Sequence, residues 1–290
     1  VMSDRIVFLG TKGGPSVRKG GPMPSSSLLQ LNGKTYVIDC GLGVTRSLVN
    51  ADVTLPEIDA IFITHLHCDH ILELGPLIYT AWVSGRTAPL DVFGPAGLVD
   101  YWAHFMAAMS FDHGLRTGDG KRPALSELVT IHPTTEGHIA DLGTTKISAK
   151  RVDHPPVTDC FALRFDTPEH SIVMSADTCY FPPLADFAAG ADVLVHEALL
   201  GDGIDVLVTR LNGGQALRDH LLAGHTMVQD VGRIATAANV GHLILNHLVP
   251  ADDLAFTIDD WQSAIASNWT GPMTVATDGL SIALPLERLT

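Results

Sequence analysis

The chain has 290 residues, of which 46% are hydrophobic and 17% charged, so it can build a core and is not a disordered protein. No stretch reaches about 18 consecutive apolar residues, which excludes a predicted membrane span. The formal net charge is −14. A field of that sign repels nucleic acid and anionic membranes at long range, so we expect a small-molecule substrate and neither of those partners.

The first half of the chain alternates short strands with loops and helices. Strands are predicted at residues 5–9, 28–31, 34–39, 60–64 and 90–93, and helices at 44–50, 71–83 and 97–109. Asn32-Gly33 lies between two apolar runs, which is the strongest short signal for a β-hairpin. The Gly/Pro/Ser-rich segment 10–27 is long for a connection and favours a functional loop. Residues 72–126 form an aromatic-rich helical insert, whose polar part at 110–126 is predicted to be irregular.

The second half contains consecutive strands followed by strand and helix alternation. β-like patterns occur at 129–165, 171–174, 193–195, 243–245, 273–276 and 280–283, and helices at 226–238 and 253–267. Runs of strands mixed with alternating helices favour sheets covered by helices over a simple doubly wound sheet. No Pro/Ser-rich linker divides the chain, so we predict a single domain over residues 1–290.

Metal-capable side chains stand at the ends of four predicted strands: His65, His154, Asp177 and His247. The densest segment is His65-x-His67-x-Asp69-His70, which offers three imidazoles and one carboxylate within six residues. Both groups are ligands that zinc-like ions accept. Such a cluster is costly to bury without partners, so a metal site is the preferred interpretation.

Residues 64–70 resemble the His-x-His-x-Asp-His signature of the metallo-β-lactamase superfamily. Six further stretches are similar, in order and spacing, to the ribonuclease Z/arylsulfatase-like branch: Phe8-Leu9-Gly10-Thr11, Val37-Ile38-Asp39-Cys40-Gly41, Ser175-Ala176-Asp177-Thr178, Val195-His196-Glu197-Ala198, Gly224-His225-Thr226 and Leu245-Asn246-His247. The resemblance implies an α/β fold, the metallo-β-lactamase αββα four-layer sandwich, and a metal-dependent hydrolase.

The resemblance also implies two divalent metal ions, with Zn²⁺ expected and Mn²⁺ or Fe²⁺ as alternatives. By that resemblance one ion takes His65, His67 and His154, the other takes Asp69, His70 and His247, and Asp177 bridges both. A metal-bridged hydroxide would be the nucleophile. The resemblance further implies that His225 and Glu197 assist proton transfer beside Asp69, while Asp39 orients a ligand or water.

Departures from ribonuclease Z guide the prediction of substrate. The chain has no Lys-rich glycine arm, and its early loop around Arg18 and Lys19 is only faintly similar, so tRNA processing is not expected. Tyr180 follows Asp177 in an Asp-x-x-Tyr spacing similar to acyl-homoserine lactone lactonases, where the tyrosine contacts the substrate carbonyl. Aromatic side chains of the insert could roof the site. We therefore predict hydrolysis of an ester, lactone or cyclic amide in a small, fairly apolar substrate.

Other interpretations stay open at this point. A phosphodiesterase or arylsulfatase would use Arg18 or Lys19 to receive the anion, and hydrolytic dehalogenation of an activated aromatic occurs elsewhere in the superfamily. A catalytically silent scaffold is disfavoured because all seven ligand positions are filled. The apolar composition is compatible with a homodimer. Four cysteines without Cys-x-x-Cys spacing and the lack of an evident signal peptide favour the cytoplasm, unless an export signal was removed.

Overall fold

The computed structural model describes residues 3–118, 120 and 122–286, in which two seven-stranded sheets contain all the named strands. Residues 119 and 121 of the predicted insert, and both ends of the predicted domain, lie outside these ranges. The first sheet consists of β1 (Arg5–Gly10), β2 (Ser26–Leu31), β3 (Lys34–Ile38), β4 (Ala60–Phe62), β5 (Leu90–Gly94), β6 (Val129–Pro133) and β14 (Ser281–Ala283). Its spatial order is β14-β1-β2-β3-β4-β5-β6.

The second sheet consists of β7 (Gly137–Leu142), β8 (Thr145–Arg151), β9 (Phe161–Asp166), β10 (Ser171–Met174), β11 (Val193–Leu199), β12 (His242–Val249) and β13 (Met273–Val275). Strands β10 to β13 run parallel to their neighbours, whereas β7, β8 and β9 pair antiparallel. The carboxyl ends of β10, β11 and β12 therefore meet at one edge of the sheet, which is where an open α/β sheet places its functional groups.

Helices cover the outer faces of the two sheets. They are α1 (Val44–Asn50), α2 (Cys68–Ile71), α3 (Leu74–Val83), α4 (Leu98–Ala108), α5 (Ser110–Thr117), α6 (Leu125–Leu128), α7 (Pro183–Phe187), α8 (Gly201–Arg210), α9 (Gly214–Gly224), α10 (Val228–Ala238) and α11 (Ile258–Ile265), with a 3-10 turn at Leu55–Glu57. Within the described ranges, no helix is both long and apolar enough to cross a membrane.

The alternation of side chains along each strand builds the layers. In β1, Val7 and Leu9 join the core under α1 and α3, whereas Ile6 and Phe8 join a core shared by both sheets. Because successive side chains point to opposite faces, one apolar strand can serve two cores. The aromatic ring of Phe165, from the second sheet, packs 5.3 Å from Phe62 of the first. The predicted four-layer sandwich is confirmed.

Local sequence signals account for several of these elements. Asn32 and Gly33 have φ of 50° and 74°, as the tight turn between β2 and β3 requires, so the predicted hairpin is confirmed. Helix α1 coincides with the helix predicted at 44–50. The prediction that 110–126 is irregular is wrong at its start, because helix α5 occupies Ser110–Thr117. Helices α8 and α9 were not predicted at all.

The aromatic side chains of the predicted insert belong largely to the core. Trp82 is fully buried, and Tyr79 and Trp102 are buried with it between the helices and the outer face of the first sheet. The Tyr101 hydroxyl accepts a hydrogen bond from the Gly75 amide and donates to the Ile71 carbonyl, which ties α4 to the chain after the histidine run. These side chains stabilise that layer, and the interpretation that they roof the site gains no support.

Candidate metal centre

The histidine run lies where the first sheet ends. The Ile63 amide is the last to bond a neighbouring strand, at Phe93, and the chain then turns through His65 and His67 into the short helix α2. His65 and His70 are almost completely buried despite being polar. Buried imidazoles need a partner for each ring nitrogen, and here those partners are other candidate ligands.

One group, which we call the first cluster, consists of His65, His67, His154 and Asp177. The Nε2 atoms of His65 and His154 lie 3.0 Å and 3.1 Å from Nδ1 of His67. Their distances to Oδ2 of Asp177 are 3.8 Å and 3.9 Å. Three ring nitrogens and a carboxylate oxygen thus converge on one point, as the ligands of a tetrahedral ion do.

The second cluster consists of Asp69, His70, His247 and the same Asp177. Nε2 of His70 lies 3.4 Å from Oδ2 of Asp177, and Nε2 of His247 lies 3.1 Å from it. The same two nitrogens are 3.5 Å and 3.4 Å from Oδ2 of Asp69. A single oxygen of Asp177 is therefore within 3.9 Å of four imidazoles, and this carboxylate joins the two clusters.

The side chains present fit two divalent cations. Nε2 of His70 is buried and has no hydrogen-bond partner among the described residues, although it points at two carboxylates. The ligand atoms within each cluster lie within 4.8 Å of one another, and the donor set of imidazole and carboxylate is one that zinc accepts. Cations between these atoms would satisfy the facing lone pairs.

The electrostatics of the clusters agree with their burial. Burial lowers the pKa of His65 well below its ordinary value, with neighbouring His70 adding to the effect. For Asp177, burial alone would raise the pKa, but His247 and His70 outweigh it and hold the pKa well below the usual range. For His247, burial favours the neutral form, yet Asp177 overrides it and raises the pKa to about 10. The second cluster attracts positive charge.

Neighbouring groups fix the orientation of the ligands. His70 donates from Nδ1 to Oδ2 of Asp39 at 2.8 Å, and Asp39 in turn accepts from the amide and hydroxyl of Thr64. His154 donates from Nδ1 to the Gly224 carbonyl at 2.7 Å. In both rings the bond at Nδ1 leaves Nε2 as the atom that faces the cluster.

Unusual backbone conformations aim three of these side chains. Asp39, Ala176 and His247 have φ of 60°, 58° and 45°, in the left-handed region that non-glycine residues rarely adopt. His247 is the extra residue of a β-bulge, since Asn246 pairs with Glu197 and Leu248 pairs with Ala198. A bulge turns one side chain away from the regular alternation, and here it directs His247 to the cluster. Such strain concentrates at functional sites.

The loop after β1 approaches the second cluster closely. The Gly14 amide donates to Oδ2 of Asp69 at 2.8 Å. A Cβ on Gly13 would lie 2.8 Å from the imidazole of His247, so only glycine fits there without displacement. The long segment 10–27 therefore contributes to the site, which its Gly-rich composition signalled only in general terms.

A second polar pair lies beside the clusters. The Glu197 carboxylate accepts hydrogen bonds from the Thr178 amide at 2.8 Å and from Nδ1 of His225 at 3.1 Å. The His225 ring stacks on His247 with centroids 5.5 Å apart. Burial lowers the pKa of His225, but the Glu197 carboxylate outweighs it and raises the pKa above its ordinary value. The pair holds a proton donor next to the second cluster.

The structure separates Tyr180 from this assembly. Its side chain is 42% exposed, and within the described ranges no hydrogen bond or ring contact joins it to either cluster. Arg18 is also committed elsewhere, because its Nε lies 3.0 Å from Oδ2 of Asp252. The other ten site residues predicted from the sequence are brought together: His65, His67, Asp69, His70, His154, Asp177, His247, Glu197, His225 and Asp39. Thr64, Gly13 and Gly14 were not predicted.

The two packed sheets and the paired His/Asp clusters at their edge define a metallo-β-lactamase-fold hydrolase. The chain belongs to the ribonuclease Z-related family described as Anti-Pycsar protein Apyc1, whose model matches residues 5–207. A ribonuclease Z of Mycolicibacterium gilvum is 32% identical over 277 residues, covering 94% of this chain and 93% of that protein. The predicted resemblance to the superfamily and its ribonuclease Z branch is confirmed.

Solved structures show the same fold. The metallo-β-lactamase fold protein YhfI from Bacillus subtilis aligns with a TM-score of 0.72 and 23% identity, covering 97% of this chain and 99% of that one. The short form of human tRNase Z aligns with a TM-score of 0.70 and 22% identity, covering 97% and 100%. At this level of identity the similarity establishes the architecture.

The prediction that excluded nucleic acid as a partner is wrong as a general statement. Relatives that match over 94% of the chain are named ribonuclease Z, which is a nuclease. The inference rested on the net charge of the whole chain, and that sum does not describe the field at one cleft. Charges more than about 8–10 Å away are screened at physiological salt, whereas bound cations would be the largest local charges.

Proposed function

We propose that this protein is a metal-dependent phosphodiesterase. The observation that carries the proposal is the Glu197–His225 pair beside the two clusters, because a phosphodiester needs a proton donor for its leaving oxygen as well as charge stabilisation. The names of the relatives support the same bond type. Two Zn²⁺ ions, when bound, would supply an activated water and offset charge on the phosphoryl oxygens.

The chain's own residues carry the proton transfers in this proposal. His225 donates Nδ1–H to Glu197, so Nε2 is the atom available to protonate the departing oxygen. Glu197 is itself held by the Thr178 amide, which keeps the pair rigid. Asp69, held by the Gly14 amide, accepts the proton of the attacking water. General acid–base groups of this kind contribute roughly 10²–10⁴-fold in rate.

Hydrolysis of an ester or lactone is the second candidate, since it was the function predicted from the sequence. It depends on Tyr180 reaching a substrate carbonyl, and the exposed position of that side chain offers it little support. The predicted homodimer likewise stays a prediction.

A substrate panel on metal-analysed protein tests the proposal. Bis-p-nitrophenyl phosphate, p-nitrophenyl acetate, a lactone and p-nitrophenyl sulfate would each be assayed with and without a chelator. We expect chelator-sensitive turnover of the phosphodiester. Turnover confined to the acetate and lactone would replace the phosphodiesterase by the carbonyl hydrolase, and turnover of the sulfate alone would indicate an arylsulfatase.

His225→Ala tests the proton donor directly. We expect kcat for bis-p-nitrophenyl phosphate to fall roughly 10²–10⁴-fold while the metal content stays unchanged. His104→Ala, an exposed histidine on α4, is the matched control and should behave as the unaltered protein. Glu197, His225 and His247 are close enough to share a cation. A loss of metal in His225→Ala would therefore make this residue a ligand and refute the assigned role.

A further inference from the structure

Helix α9 is anchored at the edge of the candidate metal centre. Leu221 is buried in a small core with Leu199 and Val249, at the ends of β11 and β12. The last residue of the helix, Gly224, accepts the hydrogen bond from Nδ1 of His154. The carboxyl end of α9 is thus tied both to the second sheet and to a candidate ligand, so its side chains hold a defined position relative to the clusters.

His220 lies on this last part of α9 and is exposed. Its ring centroid is 6.5 Å from that of His67 and 6.3 Å from that of His225, edge-on to the latter at 90°. The ring therefore spans the mouth between the first cluster and the candidate proton donor. A substrate that contacts His67's cation and is protonated by His225 must pass beside His220.

The ring nitrogens of His220 are uncommitted. Across the described part of the chain, neither makes a hydrogen bond or an ion pair, in contrast to His70, His154 and His225, whose Nδ1 atoms are all engaged. The basic side chains nearby are not free in this way. Arg18 and Arg210 both bond the Asp252 carboxylate. His220 is a polar group in a defined place with no structural partner.

We propose that His220 is a substrate-binding residue whose ring N–H donates a hydrogen bond to a non-bridging phosphoryl oxygen. The inference rests on the proposed phosphodiesterase function and specifies its anion recognition. His220 does not belong to either ligand cluster, and its exposure leaves it accessible to a ligand entering from solvent. No covalent step is assigned to it. It positions the phosphoryl group between the metal centre and His225.

Two substitutions separate this role from a structural one. In His220→Ala we expect KM for bis-p-nitrophenyl phosphate to rise roughly 3- to 10-fold, as expected for one lost hydrogen bond, with kcat changing less than KM. His220→Gln keeps an N–H donor and should recover part of the loss. Leu222→Ala, an exposed neighbour on the same turn, is the control for disturbance of α9. Metal content and Tm should equal those of the unaltered protein in all three.

Inorganic phosphate provides a readout that needs no turnover. Its Kd for the zinc-loaded protein, measured by calorimetry, should rise by a similar factor in His220→Ala. If no phosphodiester is hydrolysed but this shift occurs, the proposed function fails and the anion contact stands. An unchanged phosphate Kd and an unchanged KM in His220→Ala would overturn the assignment, as would loss of metal, which would make His220 a ligand.

Discussion

The two sheets supply the candidate metal centre in different ways. The first sheet contributes His65, His67, Asp69 and His70 from one run that follows β4. The second contributes His154, Asp177 and His247 from three separate places, following β8, following β10 and within β12. The first half depends on local chain geometry, whereas the second half depends on parallel strands ending at a common edge and on a bulge. Local proximity and tertiary convergence thus produce one site.

The largest expected effect removes the residue common to both halves. Asp177→Asn should lose metal from both clusters and reduce activity below detection, because one carboxylate oxygen lies near four imidazoles. His67→Ala removes a member of the first cluster only and should retain part of the metal. Elemental analysis and the phosphodiester assay would compare them, with His104→Ala as control. Equal metal loss in both variants would mean that the two halves bind as one unit.

A smaller effect is expected from the group that orients a first-sheet ligand. Asp39→Asn should weaken metal binding about 10- to 100-fold, because an amide in place of the carboxylate no longer accepts reliably from Nδ1 of His70. Asparagine tolerates the φ of 60° at this position, so the fold should be retained. Chelator competition would measure the affinity. Asp59→Asn, which disrupts a surface pair with Lys34, should leave it unchanged; an Asp39→Asn affinity equal to that control would contradict the role.

The smallest effect is expected at the residue that follows Asp177 in the Asp-x-x-Tyr spacing. Tyr180→Phe should change phosphodiester kcat/KM less than twofold, roughly the range for exposed side chains away from partners. Steady-state kinetics on both the phosphodiester and a lactone would check this. A marked loss confined to the lactone would restore the hydroxyl as a carbonyl contact and sharpen the distinction between the second sheet's buried ligands and its exposed loop.

Prediction from sequence worked best where the signal was local. The hairpin at Asn32-Gly33, helix α1 and the histidine run all depend on residues within a few positions of one another. Helices α8 and α9 were missed, since their glycines and exposed side chains give little helical periodicity, and His220 was missed with them. The assignment of aromatic residues to a roof lost support because helix core and site lining share the same side-chain types.

The sequence by itself determined the superfamily, the sandwich fold and the set of candidate ligands, because these are encoded in strand-end motifs whose order along the chain is preserved. Tertiary structure decided how those residues meet. It placed Asp177 at the centre of four imidazoles, turned His247 inward through a bulge and left Tyr180 exposed. Such outcomes depend on strand register and on loop and helix packing, which bring together groups that are up to 178 residues apart, as His247 and Asp69 are.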